Sequence, residues 1–172
     1  MCALAVDTMP SQATRSSLSA NKSFLRSFPG VLRILQLVMG AALWITIAST
    51  SYSGGVHFVL FVAVFFWLLT LLFYFLTLLD KQDLVPILGG DRWLLTNLIY
   101  DALATVLHIA ATIVVAKSTD DNSYCTLPGY NYRCPYNTYL AASIFASVCS
   151  LLYLLTAACF IHKKCIGGQS IV

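Results

Sequence analysis

Charge is what this sequence lacks most. Charged residues make up only 10% of its 172 residues, and glutamate is absent altogether, whereas about 25% is usual in soluble domains. A soluble fold of this size could not cover its surface with so few polar groups. The apolar fraction is 59%, against roughly 45–50% in soluble domains. We therefore expect most side chains to be surrounded by lipid.

Patterns that carry chemistry are also missing. The sequence has no nucleophile motif, no Gly-rich phosphate loop and no metal-spaced cluster, so we predict a non-enzymatic protein without a cofactor or a metal. The net charge is only +3, and the basic residues form no dense patch with interleaved aromatic residues. This pattern argues against a nucleic-acid partner.

The first 30 residues lack the apolar core of a cleaved signal peptide. They are rich in Ser, Thr and Asn and contain one short apolar stretch, Ala3 to Val6. A cleaved signal needs a longer apolar region than this. We interpret residues 1–30 as a disordered cytoplasmic tail.

Four long apolar runs fill most of the remaining chain. They are residues 31–50, 56–79, 94–116 and 139–161. Each has the roughly 20 residues that a helix needs to cross a hydrocarbon core of about 30 Å. The runs are continuously apolar, whereas barrel strands would alternate. We predict an all-α membrane protein, with a four-transmembrane-helix bundle at 31–161 and a short cytoplasmic tail at 162–172.

The Lys and Arg residues predict the orientation of the bundle. Eight lie on one side of the predicted membrane, and two lie on the other. The eight are Arg15, Lys22, Arg26, Arg33, Lys81, Arg92, Lys163 and Lys164, and the two are Lys117 and Arg133. Because loops rich in Lys and Arg stay in the cytoplasm, both termini and the 80–93 loop are predicted to be cytoplasmic.

The third run is the least secure span. Its eleven Leu, Ile and Val residues each favour insertion by roughly 0.3–0.6 kcal/mol. Asp101 opposes insertion by roughly 2.5–3.5 kcal/mol, and His108 adds to that cost. The sum is near zero or slightly favourable, so this helix is expected to depend on its neighbours to stay inserted.

Five polar residues of the third run share one helical face. They are Asn97, Asp101, Thr105, His108 and Thr112. An ionisable residue in a span is a functional candidate and is expected to face the bundle. One interpretation is hydrogen bonding between helices, with Arg33 as the partner of Asp101. The other is a proton path between Asp101 and His108, which lie about 10.5 Å apart by helical rise and would need water or Thr105 between them.

The cysteines divide by predicted depth. Cys125 and Cys134 lie in the outer 117–138 loop, on the oxidising side, where we predict a structural disulfide. Cys149 lies within the fourth run and is expected to pack. Three cysteines at or near the cytoplasmic face are candidates for reversible palmitoylation, with an unmodified thiol as the alternative. These three are Cys2, Cys159 and Cys165.

Two further patterns suggest contacts with other proteins. The C-terminal residues Ser170, Ile171 and Val172 fit a ligand for a PDZ domain, which captures a terminal carboxylate. The fourth run also presents small residues, for which we expect packing inside the bundle, with self-association as the alternative. They are Ala142, Ser143, Ala146, Ser147 and Ser150.

Several stretches of the sequence resemble the MARVEL family of four-span membrane proteins. The matching stretches are residues 24–33, Gly40, 44–48, 61–70, 141–146 and Tyr153. The resemblance implies a four-helix membrane domain with cytoplasmic termini and no catalytic residues. It further implies roles in membrane apposition, vesicle trafficking and cholesterol-rich microdomains. A plasma-membrane and vesicle location, a cytoskeletal link and a nuclear pool are also implied by the resemblance.

Three functional hypotheses follow. The first is a non-enzymatic organiser of membrane microdomains, membrane apposition or vesicle trafficking. Its partners would be membrane lipids, further copies or other membrane proteins, and a PDZ or cytoskeletal protein. The second is a small proton-coupled transporter that uses Asp101 and His108, although four spans are few for a carrier and none is broken by paired Gly or Pro. The third is an adhesion or junction protein that acts through the 117–138 loop.

Overall fold

The computed structural model describes residues 27–49, 54–79, 92–126 and 134–167. Its four helices are α1 (Phe28–Ala48), α2 (Val56–Leu78), α3 (Trp93–Asp121) and α4 (Tyr136–Gly167), with a short 3₁₀ turn at Ser123–Thr126. These four ranges contain no strand. All four helices are long and apolar enough to cross a membrane. The predicted all-α class with four spanning helices is confirmed, while the orientation of the termini stays a prediction.

The helices extend beyond the apolar runs at several ends. Helix α1 begins at Phe28, inside the predicted tail, and α3 continues past Ala116 to Asp121. Helix α4 continues past Ile161 to Gly167, so the predicted C-terminal tail begins as helix. Hydrophobicity marks only the part of a helix that lipid surrounds, whereas the backbone hydrogen bonds continue into polar sequence. Residues 1–26 lie outside the described part of the chain.

Helix α1 starts at a defined cap. The side chain of Ser27 accepts a hydrogen bond from the backbone N–H of Gly30 at 3.3 Å, which satisfies one of the free donors of the first turn. Pro29 lies in that first turn, where its missing N–H costs nothing. This start places Arg33 in the second turn of α1, facing the bundle interior.

The four helices form a ring. Helix α1 packs mainly against α2 and α4, and α3 packs mainly against the same two helices. Helices α1 and α3 are therefore diagonally opposed, as are α2 and α4. The core between them combines large buried side chains from all four helices with small ones, mainly alanines on the last two. Examples are Leu43, Val62, Phe66, Ala104, Ala111 and Ala146.

The outward faces of the helices carry large apolar side chains. On α3, Val106 is 63% exposed and Ile113 is 64% exposed, and Ile99 and Leu103 lie on the same face. This outward face is aliphatic and lies opposite the buried polar residues of the same helix. A bilayer removes the need for polar cover on this face, since acyl chains contact it.

Small residues let the helices approach closely at two contacts. A Cβ atom at Gly40 of α1 would lie 3.2 Å from Cδ1 of Trp67 on α2. The indole Nε1 of Trp67 donates to the backbone carbonyl of Leu37 at 3.0 Å, which fixes the ring against α1. On α4, Ala142 and Ala146 are buried in the core, which is the packing role expected for small residues in a membrane bundle.

Candidate functional site: a polar network across the four helices

Arg33 and Asp101 form a bidentate ion pair inside the bundle. Nη1 of Arg33 donates to Oδ1 of Asp101 at 2.7 Å, and Nη2 donates to Oδ2 at 3.0 Å. The side chains are only 3% and 0% exposed. The planar guanidinium matches the two carboxylate oxygens, which gives this pair its fixed geometry. The sequence interpretation that pairs these two residues agrees with this contact.

Two amide side chains complete the surroundings of the guanidinium group. Nη1 of Arg33 also donates to Oε1 of Gln36 at 3.0 Å, and Nη2 also donates to Oδ1 of Asn97 at 2.9 Å. Each terminal nitrogen therefore has two acceptors for its two N–H groups. Nδ2 of Asn97 donates in turn to the backbone carbonyl of Trp93 at 2.9 Å, which orients the Asn97 amide.

Gln36 extends these contacts to α4. Its Nε2 donates to Oγ1 of Thr156 at 2.9 Å and to the backbone carbonyl of Leu152 at 3.3 Å. The hydroxyl of Thr156 donates to the same carbonyl at 2.8 Å. Gln36 and Thr156 are both buried, so a single amide side chain joins the ion pair to the neighbouring helix.

A second cluster includes α2. Oγ1 of Thr70 lies 2.7 Å from the phenol oxygen of Tyr100 on α3 and 2.7 Å from that of Tyr153 on α4. The hydroxyl groups of Thr70 and Tyr100 both lie within hydrogen-bond distance of the backbone carbonyl of Phe66. Cζ of Arg33 lies 5.4 Å from the centroid of the Tyr100 ring, a cation–π contact that joins the two clusters.

We call these connected side chains the polar network. Its members are Arg33, Gln36, Thr70, Asn97, Tyr100, Asp101, Tyr153 and Thr156. All eight are buried, and they come from all four helices. In a bilayer no water competes for such bonds, so they stabilise the relative positions of the helices.

The five-residue polar face predicted on α3 divides in the structure. Asn97 and Asp101 belong to the polar network. Thr105 and Thr112 instead donate to carbonyls of their own helix, those of Asp101 at 2.7 Å and His108 at 2.8 Å. Each of these two hydroxyls bonds within its own helix, and neither bonds another helix within the described ranges.

His108 lies among aromatic rings. Its ring stacks on Tyr153 with centroids 5.2 Å apart and lies 5.9 Å from Phe66. The side chain is 1% exposed, and its Nδ1 has no hydrogen-bond partner among the described residues. Within the described ranges no chain of hydrogen bonds joins the Asp101 carboxylate to the His108 imidazole, because the hydroxyl of Thr105 points to a backbone carbonyl.

The predicted cysteine sites are only partly within the described residues. Cys134 is held in a disulfide, but the side chain of Cys125 is outside the described part, so their pairing stays a prediction. Cys159 is half-buried and Cys165 is exposed, and both are free thiols. Cys2 lies outside the described residues, as do Ser170, Ile171 and Val172. Among the residues that the structure describes, no group of His, Cys and acidic side chains could hold a metal ion.

Sequence reasoning missed five of the eight members of the polar network. The missed residues are Gln36, Thr70, Tyr100, Tyr153 and Thr156. The signal available for Gln36 was its spacing from Arg33 and Gly40, since residues 33, 36 and 40 share one helical face. Tyrosine and threonine carry no such signal, because tyrosine is enriched at the ends of membrane spans and a threonine hydroxyl can bond a carbonyl of its own helix, as those of Thr70 and Thr156 do.

Comparison with known proteins adds a family relationship. The profile of the MARVEL family, described as a membrane-associating domain, matches residues 24–159. The chain is 52% identical to MARVEL domain-containing protein 1 of Danio rerio over 149 residues, which cover 87% of this chain and 92% of the relative. It is 38% identical to plasmolipin of Rattus norvegicus over 156 residues, which cover 86% and 79% of the two chains.

A more distant relative matches over a similar length. CKLF-like MARVEL transmembrane domain-containing protein 8 of Mus musculus is 32% identical over 142 residues, which cover 81% of this chain and 76% of the relative. No solved structure matches the chain.

Proposed function

This chain belongs to the MARVEL family of membrane-associating proteins, and we propose that it is a non-enzymatic organiser of membrane microdomains, membrane apposition or vesicle trafficking. The observation that carries the proposal is that the eight side chains of the polar network point into the bundle interior. The eight members of the polar network are bound to one another and to backbone inside the bundle. They are therefore engaged in holding helices together, and the faces left for recognition are apolar.

The outward faces support lipids as the principal partners. Large apolar side chains are exposed along all four helices, among them Val38, Phe61, Ile113 and Leu151. On α2, the exposed rings of Phe61 and Phe65 stack with centroids 5.5 Å apart. Van der Waals contact with acyl chains is the interaction that these faces offer. Cholesterol-rich microdomains, where acyl chains are ordered, are the membrane regions we propose.

An apolar groove supports acylation of Cys159 as part of this function. The groove has a volume of about 370 Å³ and lies between the start of α1 and the last turns of α4. Its walls are formed by Phe28, Pro29, Leu155 and Ala158, with Cys159 and His162 beside them. A fatty acyl chain in thioester linkage to Cys159 would lie along these walls. Cys165 does not line the groove and provides a matched comparison.

Other parts of the proposal concern location and partners. We propose a multi-pass protein of the plasma membrane and trafficking vesicles, with a cytoskeletal link and a nuclear pool implied by family resemblance. The C-terminal Ser170–Val172 is proposed as a ligand for a PDZ protein, and homo- or hetero-oligomers as the assembled form. The alternative of a proton-coupled transporter needs a proton path between the side chains of Asp101 and His108. The hydroxyl of Thr105 does not provide one, because it donates to the backbone carbonyl of Asp101.

The experiment that tests the proposal is partitioning in membranes. The full chain, carrying a fluorescent tag, is expressed in cells whose plasma membrane is released as giant vesicles with coexisting ordered and disordered phases. We expect enrichment in the ordered phase, reduced by Cys159→Ser and unchanged by Cys165→Ser. Uniform exclusion of the parent chain from the ordered phase, together with its absence from vesicle carriers, would contradict the proposed function.

A further inference from the structure

Asp101 occupies a position from which it cannot reach water. It lies about 12 Å along α3 from the first residue of that helix by helical rise. Its short side chain cannot extend to the membrane surface as a lysine or arginine side chain can. The carboxylate is fully buried, so α3 carries its charge into the bundle interior.

Only one cation reaches this carboxylate within the described residues. Both of its oxygens accept from Arg33 of α1, at 2.7 and 3.0 Å. The other described cations whose side chains are placed lie at or beyond the ends of the apolar runs. These are Arg92, Lys117 and Lys164. Compensation for Asp101 therefore comes from a helix diagonally across the bundle.

The hydrophobicity of α3 does not by itself secure insertion. Asp101 and His108 offset much of the favourable contribution of its aliphatic residues, so the net is near zero or slightly favourable. Asn97, also on α3, adds a further polar side chain that is buried and bound to Arg33. The two least lipid-compatible positions in this half of α3 thus share one partner.

We propose that Arg33 holds α3 across the membrane, so that insertion of the third helix depends on the first. Gln36 and Asn97 are positioning residues in this arrangement, since each accepts from one terminal nitrogen of the Arg33 guanidinium. The dependence also sets an order of assembly. Helix α1 is synthesised before α2 and α3. It must therefore remain close to the site of insertion, with Arg33 not yet enclosed by lipid, until α3 has been synthesised.

Glycosylation of the full chain measures whether α3 spans. Arg133→Thr completes an Asn-x-Thr acceptor at Asn131, in the connection that lies outside when α3 crosses. The natural acceptor Asn21-Lys22-Ser23 reports the opposite side, and Asn21→Gln identifies its band. The measured quantity is the ratio of glycosylated to unglycosylated Asn131 in chains made on microsomal membranes.

Four variants in this reporter background distinguish pairing from general misfolding. Arg33→Leu leaves Asp101 without its partner, and we expect the ratio to fall by about tenfold or more. Asp101→Leu alone and the double variant Arg33→Leu/Asp101→Leu are expected to keep the parent ratio, because the apolar run 94–116 of α3 then contains no acidic or basic charge to compensate. Asp121→Ala, an exposed acid at the end of the same helix, serves as the control.

Two results would overturn the proposal. One is a glycosylation ratio in Arg33→Leu equal to that of the parent chain, which would mean that α3 inserts without help from α1. The other is a ratio in the double variant as low as in Arg33→Leu, which would mean that loss of Arg33 disturbs folding whether or not Asp101 is charged. Recovery in the double variant supports the proposal, since a general packing defect would persist there.

Discussion

Arg33 and Asp101 lie 68 residues apart in the sequence and are joined by two hydrogen bonds across the diagonal of the bundle. Neither helix that carries them packs mainly against the other. The pair therefore spans the core instead of lying in a helix-to-helix seam. A one-sided substitution would leave one buried charge without its partner in the core.

A one-sided substitution of the ion pair is expected to be severe. Asp101→Leu leaves a buried guanidinium without its main acceptor, and the expected loss is roughly 3–5 kcal/mol in the free energy of unfolding. Replacing both residues, as Arg33→Met/Asp101→Leu, is expected to recover most of that loss because no unpaired charge remains. Unfolding by SDS in mixed micelles measures each variant.

An exposed lysine provides the control for the ion-pair variants. Lys164→Ala removes an exposed charge near the end of α4 and is expected to leave stability unchanged. Additive losses in the double ion-pair variant would contradict the prediction, because they would show that the two side chains act independently.

Replacing His108 by an apolar residue is expected to stabilise the protein. Its Nδ1 is buried without a hydrogen-bond partner among the described residues, and its ring lies against Phe66 and Tyr153. His108→Leu removes that polar atom while filling much of the same volume, and the expected gain is about 1 kcal/mol. Thermal unfolding in detergent measures the effect, with the exposed His162→Leu as the control. A clear loss of stability in His108→Leu would show that the imidazole makes a necessary bond.

Side-chain size at Gly40 is expected to matter for packing of α1 on α2. A Cβ there would already lie 3.2 Å from Cδ1 of Trp67, and Trp67 is fixed by its bond to the Leu37 carbonyl. Gly40→Leu is expected to destabilise the bundle by about 1–3 kcal/mol through overpacking. Ala48→Leu, at an exposed position of the same helix, is the matched control. If both variants lose the same stability, close contact between α1 and α2 at Gly40 does not explain the loss in Gly40→Leu.

The disulfide of Cys134 is expected to join it to Cys125. Peptide mapping without reduction should then yield one cross-linked peptide that contains both residues. Cys149, Cys159 and Cys165 are free thiols and should be recovered as alkylated or acylated peptides. A cross-link from Cys134 to any other cysteine would contradict the pairing.

The four helices could be predicted from sequence because a bilayer imposes a length and a composition on each span. The Arg33–Asp101 pair could be predicted for a related reason, since charges inside spans cannot face lipid and have few available partners. The ends of α3 and α4 could not, because hydrophobicity ceases at the membrane surface while the helix continues to Asp121 and Gly167.

Most of the remaining polar network depends on the register between helices. Thr70 meets Tyr100 and Tyr153 only because α2, α3 and α4 align at that depth, and no local pattern fixes this alignment. His108 shows the same limit. Its spacing places it on the polar face of α3, but the residues opposite it are aromatic rings from α2 and α4.

A bond between opposite corners of a four-helix ring has a mechanical effect that bonds along its sides lack. Contacts between adjacent helices permit the square to shear into a rhombus, since every side keeps its length. The Arg33–Asp101 connection has the length of a diagonal and resists that distortion. Changes in lateral pressure or bilayer thickness are then expected to tilt or displace the domain as one rigid body, without sliding its helices past one another.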